Sequence, residues 1–166
     1  MAKKVVKFSL SPESITQALN DLKVYKEQYE AKRHMLMEVI VARGVQIVKE
    51  ELQELVYSQP GEEYRTMALL ESIQGEYDSK TGTGRIWTDN YYAPFVEFGT
   101  GITGGQAPHP ESGIHGWAYG TEGWFYYNDR VDSVLFTVGF RSRPFMYNAA
   151  KRLRSEIPRI VKEVFA

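Results

Sequence analysis

Glu97 sits inside the apolar stretch Ala93-Pro-Phe-Val-Glu-Phe98, and a carboxylate stripped of water there would have a raised pKa suited to a general acid. That chemistry needs a second carboxylate, a hydroxyl or a histidine at an informative spacing, and none stands beside it. Pairing with an arginine, Arg141 or Arg143 being nearest in the β region, or with backbone N–H groups of its own turn, accounts for the residue better. His109 and His115 lie six apart with Glu111 between them. No spacing puts two imidazoles on one helix face or one turn, so a metal site is weakly encoded. His34 has Glu38 one turn on, an ordinary surface pair. Gly99-Thr-Gly101-Ile-Thr-Gly104 matches G-x-G-x-x-G in form, but a dinucleotide site needs a strand before it and a helix after it. Gly105-Gln-Ala-Pro-His-Pro follows instead, and no helix is expected to start there. With no cysteine, thiolate zinc sites, iron–sulfur clusters and cysteine nucleophiles are excluded. The reading is a protein without enzyme activity, cofactor or metal.

Trp117, Tyr119, Trp124, Phe125, Tyr126 and Tyr127 crowd into eleven positions. Stacking on single-stranded nucleic acid calls for interleaved Lys or Arg, and residues 99–128 contain neither. Aromatics in an otherwise polar loop suit a protein interface, with plain strand packing as the competing reading.

The elements that must position these groups read as one domain, residues 1–166, of α+β class. Residues 4–10 are rich in strand formers. Ser11-Pro12-Glu13 marks a helix start: a cap, a proline where no N–H is needed, and an acid at the positive end of the dipole. No proline intervenes up to Tyr57 and Gly44 is the sole glycine, so residues 1–57 are a strand plus a long helical region. Ile15, Ala18, Leu22, Tyr25 and Tyr29 form a narrow apolar stripe that fades between Lys26 and Arg33, where a bend, a hairpin or a solvent-crossing stretch is expected. A continuous helix of this length would reach about 70 Å, so part of it must project or fold back. Met35 to Val48 is apolar on most sides.

Gln59-Pro60-Gly61 predicts a turn. Residues 62–142 then read as an antiparallel sheet of about four to five strands: Met67–Tyr77, Arg85–Thr88 after a hairpin loop at Asp78–Gly84, Trp124–Tyr127 and Val134–Phe140. Tyr91–Phe98 suits a short helix or turn because Pro94 fits a first turn. Residues 99–123, with eight glycines and two prolines, read as an irregular, mobile loop. Residues 143–166 form a C-terminal helix with Phe145, Met146, Ala149, Ala150, Leu153 and Ile157 on one face and a kink at Pro158.

Charge is uneven beneath a net −1: +1 over residues 1–57, −6 over 58–142 and +4 over 143–166. The opposite signs fit internal pairing or complementary faces on neighbouring subunits. No apolar run reaches the roughly 20 residues of a membrane span, and no signal-peptide pattern follows the basic start.

Three stretches, Tyr92-Ala-Pro-Phe-Val-Glu-Phe-Gly-Thr-Gly101, Gly123-Trp-Phe-Tyr-Tyr127 and Arg143-Pro-Phe-Met-Tyr-Asn-Ala-Ala150, resemble in order and spacing the tail-component or neck proteins of long-tailed bacteriophages, typified by gene product ten of a lambdoid phage. Ala93, Val96, Glu97, Phe98, Gly99, Thr100 and Gly101 carry the first motif, and Arg143, Pro144, Phe145 and Met146 the second. Asp129 to Phe140 departs from the family pattern, which is more polar and bears a tryptophan there. The resemblance implies a structural virion protein at the head–tail junction, made in the host cytoplasm. It would form a ring with itself beside head-closure or connector and tail-terminator or tail-tube proteins, with DNA passing through the lumen. Glu97 and Arg143 would pair over a base of Phe95, Phe98, Phe145 and Met146. Trp117, Tyr119, Trp124, Phe125, Tyr126, Lys151, Arg152 and Arg154 are the candidate interface. The alternatives are a small hydrolase or nucleotide-binding domain using Glu97 or the loop histidines, and a packaging factor touching DNA with Lys151, Arg152, Arg154, Arg159 and Lys162.

Overall fold

A computed structural model describes residues 5, 7–58, 66–129 and 131–166. Helix α1 spans Pro12–Leu52, capped by Ser11, whose hydroxyl accepts from the Ser14 N–H at 3.3 Å. It continues into a π-helical turn at Gln53–Tyr57. Neither a bend nor a hairpin occurs where the apolar stripe fades. The strand expected at residues 4–10 is absent from 5 and 7–10, while 4 and 6, like the turn at Gln59-Pro60-Gly61, lie outside the described residues.

Helix α5, Phe145–Phe165, runs antiparallel to α1. Arg43 donates to both carboxylate oxygens of Glu156 at 2.7 and 2.9 Å, Arg152 pairs with Glu50, and Phe165 meets Tyr29 with ring centroids 5.9 Å apart. The Arg43 guanidinium lowers the Glu156 carboxyl from 4.5 to about 2. The ion pairs of the C-terminal segment run to α1, through Arg152 with Glu50 and Glu51 and through Glu156 with Arg43, and within α5, through Arg159 with Glu156 and Glu163. α5 passes through Pro158 as one helix. Because α5 ends beside Tyr29, residues 12–28 of α1 extend about 25 Å past it, and all but Ser14, Ala18 and Asp21 are exposed.

The expected sheet of four to five strands is two separate antiparallel hairpins. Strand β1, Gln74–Asp78, pairs with β2, Thr83–Trp87, and β3, Trp124–Asn128, pairs with β4, Ser133–Thr137. Residues 68–71, expected as strand, form the short helix α2, Ala68–Glu71. The first hairpin turns its Gly75, Tyr77, Gly84 and Ile86 face onto α1. A Cβ on Gly75 would stand 2.5 Å from Val45, and one on Gly84 2.6 Å from Val41. The missing side chains let sheet and helix approach closely. The Tyr77 hydroxyl meets His34 Nδ1 at 2.6 Å, so His34 bonds to the hairpin rather than to Glu38. The core gathers Ile47, Val48, Leu52, Leu69, Ile73, Val96, Phe145 and Ala149, each fully buried aliphatic or aromatic side chain stabilising by about 1.5–3 kcal/mol.

Candidate functional site

Two short helices carry the motif around Glu97. Tyr92 precedes α3, Ala93–Phe98, with Pro94 in its first turn as expected. Inside the glycine segment a helix does form: α4, Gly101–Gln106. Since α3 rather than a strand precedes it, the G-x-G-x-x-G fold context is missing. The glycines have another purpose, which is to let two backbones cross. Thr100 N–H donates to the Phe140 carbonyl at 2.9 Å and Thr103 N–H to that of Val138 at 3.2 Å. Gly139, at φ +86°, would place a Cβ 2.1 Å from the Thr100 carbonyl oxygen.

Glu97 is 8% exposed and its carboxylate ties three segments together. Met146 N–H donates to Oε2 at 2.9 Å, and Tyr147 N–H and His109 Nε2 meet Oε1 at 3.0 Å. The carboxylate therefore caps α5, supplying acceptors for N–H groups that the helix cannot satisfy itself. His109 is 3% exposed. Its Nδ1 accepts from Glu111 N–H at 3.0 Å, which fixes the neutral tautomer with Nε2–H pointing at Glu97. Burial pushes the Glu97 carboxyl above its ordinary value, against the downward pull of the Met146, Tyr147 and His109 hydrogen bonds. The expected Glu97–Arg143 side-chain pair is corrected: N–H donors replace the guanidinium. Arg143 contributes its backbone, donating to the Val96 carbonyl at 2.9 Å. The motifs do meet, by main chain and cap.

Phe98 anchors the loop that follows. Trp117 stacks on it at 4.9 Å and 19°, His109 tilts against it at 4.5 Å, and Tyr119 donates its hydroxyl to the Phe98 carbonyl at 3.0 Å. Trp117 Nε1 donates to the Gly99 carbonyl at 3.1 Å. Trp117 and Tyr119, both half-buried, are therefore bound to the chain's own α3 segment. Phe95, expected beneath the motif with Phe98, Phe145 and Met146, is exposed. His109 as the partner of Glu97 was not read from the sequence. The available signal was a desolvated carboxylate in need of a donor, but a separation of twelve residues across an irregular segment carries no periodicity to exploit.

A groove of about 570 Å³ opens beside this cluster, with Asp89, Glu111, His115, Lys151 and Arg154 among its lining. Both His109 nitrogens and both Glu97 oxygens are engaged in hydrogen bonds within the chain. No group of three or more His, Cys, Asp or Glu side chains placed to hold a metal ion occurs among the described residues.

The stretch Gly123–Tyr127 supplies most of β3 and leads to a different surface. Cross-strand pairing of Phe125 with Phe136 and of Tyr127 with Val134 puts these four side chains on one face. They are 72%, 57%, 57% and 60% exposed in that order. Trp124 and Tyr126, on the other face, are also exposed, and Trp124 leans toward Gly101. Of the candidate cations, Arg152 is taken up by Glu50, Glu51 and Glu156, and Arg159 by Glu156 and Glu163, whereas Lys151 and Arg154 are exposed. No protein-family model, curated protein or solved structure matches this chain.

Proposed function

We propose that this chain is a structural subunit of the phage neck or tail, working as a ring of identical copies that joins or completes the head–tail connection. The observation that carries the reading is the β3–β4 hairpin, whose apolar face is exposed and packs on no other element among the described residues. An isolated two-stranded hairpin is marginally stable in water, and an exposed contiguous apolar patch marks an interaction site. The projecting half of α1 supplies a second, different surface, and two unlike faces on one subunit are what a closed ring requires. The engaged Glu97–His109 pair agrees with a protein that acts through its surfaces. Lys151, Arg154 and Lys162 are the cations left for DNA passing a lumen.

Electron microscopy and native mass spectrometry of the purified chain test this, with closed rings of one size expected. A phage lacking the gene should accumulate filled heads and separate tails, rescued by the wild-type chain; normal virions without it would refute the assignment. A hydrolase reading draws on the groove, which gathers Glu97, His109, Glu111 and His115. A rise in melting temperature with zinc, magnesium or a nucleotide would favour it.

A further inference from the structure

We propose that the Phe125, Tyr127, Val134 and Phe136 face of one copy packs on residues 15–26 of α1 in the next copy, an inference that builds on the ring reading and names its contact. The chain already makes one junction of this kind internally, where β1–β2 lies on the C-terminal half of α1 around Met37, Val41, Gly44 and Val45. Among the described residues no strand lies on the N-terminal half of the same helix. Ile15, Leu19 and Leu22 lie there exposed, three and four residues apart, on one helix face.

The dimensions agree. Five strand residues span about 17 Å, and the helix from Ile15 to Lys26 rises about 17 Å. Charge agrees as well. Residues 129–132, between β3 and β4 in sequence, carry a net charge of −1, and the helix stripe is bordered by Lys23 and Lys26, neither with a carboxylate partner among the described residues. Laid along the stripe with its loop toward Lys26, the hairpin sets opposite charges together at the rim of an apolar contact. Within one chain the hairpin leaves these side chains open, so the contact is made between copies. It is also heterologous: the surface given differs from the surface received, and repetition closes a ring. A four-residue aromatic face offers only a few hundred Å², less than the roughly 800 Å² per partner of a standard interface. Each contact alone is therefore weak, pairing copies at high protein concentration, and closure, in which every copy makes the contact twice, stabilises the ring further.

Native mass spectrometry of three proteins tests the contact: wild type, Phe125→Asp with Phe136→Asp, and Leu19→Asp with Leu22→Asp. All four positions are exposed, and circular dichroism checks that helix content is kept. Wild type is expected as a closed oligomer and each variant alone as a monomer. An equimolar mixture of the variants is expected to give 1:1 dimers and nothing larger, because one sound hairpin and one sound helix remain. Helix variants that assemble like wild type while hairpin variants do not would overturn this contact and leave the ring reading standing. A mixture that stays monomeric would also overturn the contact. Wild type that is monomeric at every concentration would overturn the ring reading and the contact together.

Discussion

The two hairpins are near copies in backbone and opposites in surface. Each has five-residue strands joined by a four-residue loop, and each loop ends on a residue in the left-handed region, Gly82 in one and Asp132 in the other. The first hairpin faces inward with small or apolar residues and outward with Glu76 and Arg85, paired at exposed positions. The second has Phe125, Tyr127, Val134 and Phe136 exposed on one face, with no helix beneath it among the described residues. Backbone pairing is common to both, so pairing does not distinguish them. What differs is cover: α1 lies under the apolar face of the first, and the apolar face of the second is the one proposed to meet another copy.

The largest effect is expected at the crossing that holds the second hairpin to the body. Gly139→Ala puts a Cβ into the Thr100 carbonyl at a positive φ. It should cost about 3 kcal/mol or more in urea denaturation, with β3–β4 losing its fixed position. Next comes the direct contrast. Ile86→Ala, against Gly44 and α1, should destabilise the isolated chain by about 2 kcal/mol. Phe136→Ala should cost the dilute chain less than about 1 kcal/mol yet weaken its association; comparable losses for the two would break the contrast. Gly82→Ala should cost about 1 kcal/mol in thermal denaturation, from the left-handed conformation alone.

Acid should act elsewhere. The Glu156 carboxyl is lowered from 4.5 to about 2 by Arg43, so its contribution to the α1–α5 seam is present above the unfolded value and lost as pH falls through the folded one. The melting temperature should drop over that window, and Glu156→Gln should flatten the drop.

How far these features could be read from sequence depends on their range. Ser11-Pro12-Glu13 announced the helix start, Pro94 the first turn of α3 and Asp78–Gly84 the first hairpin, because caps and turns are written in neighbouring residues; Trp124–Tyr127 and Val134–Phe140 were legible as strands, not as a separate hairpin. Glu97 was recognisable as a buried, partnered carboxylate at the junction with α5. Its donors were not, since the N–H groups of Met146 and Tyr147 are backbone atoms that any residue carries. The uninterrupted course of α1 was hidden because its polar middle is steadied from outside, by Phe165 on Tyr29 and by Lys32 donating to the Ala166 carbonyl at 3.4 Å. The single sheet was wrong for a related reason. Alternation identifies strands but not which strands meet, and the crossing of Thr100 with Phe140 directs the second hairpin away from the first.

Hydrogen exchange followed at increasing protein concentration tests the central contrast most directly, because it reads both hairpins in the same sample. The β1–β2 amides should be protected to the same degree throughout, while those of β3–β4 should exchange fast in the dilute chain and become protected as copies associate. Equal protection of both hairpins in the dilute chain, unchanged by concentration, would contradict the claim that the aromatic face is completed by another molecule.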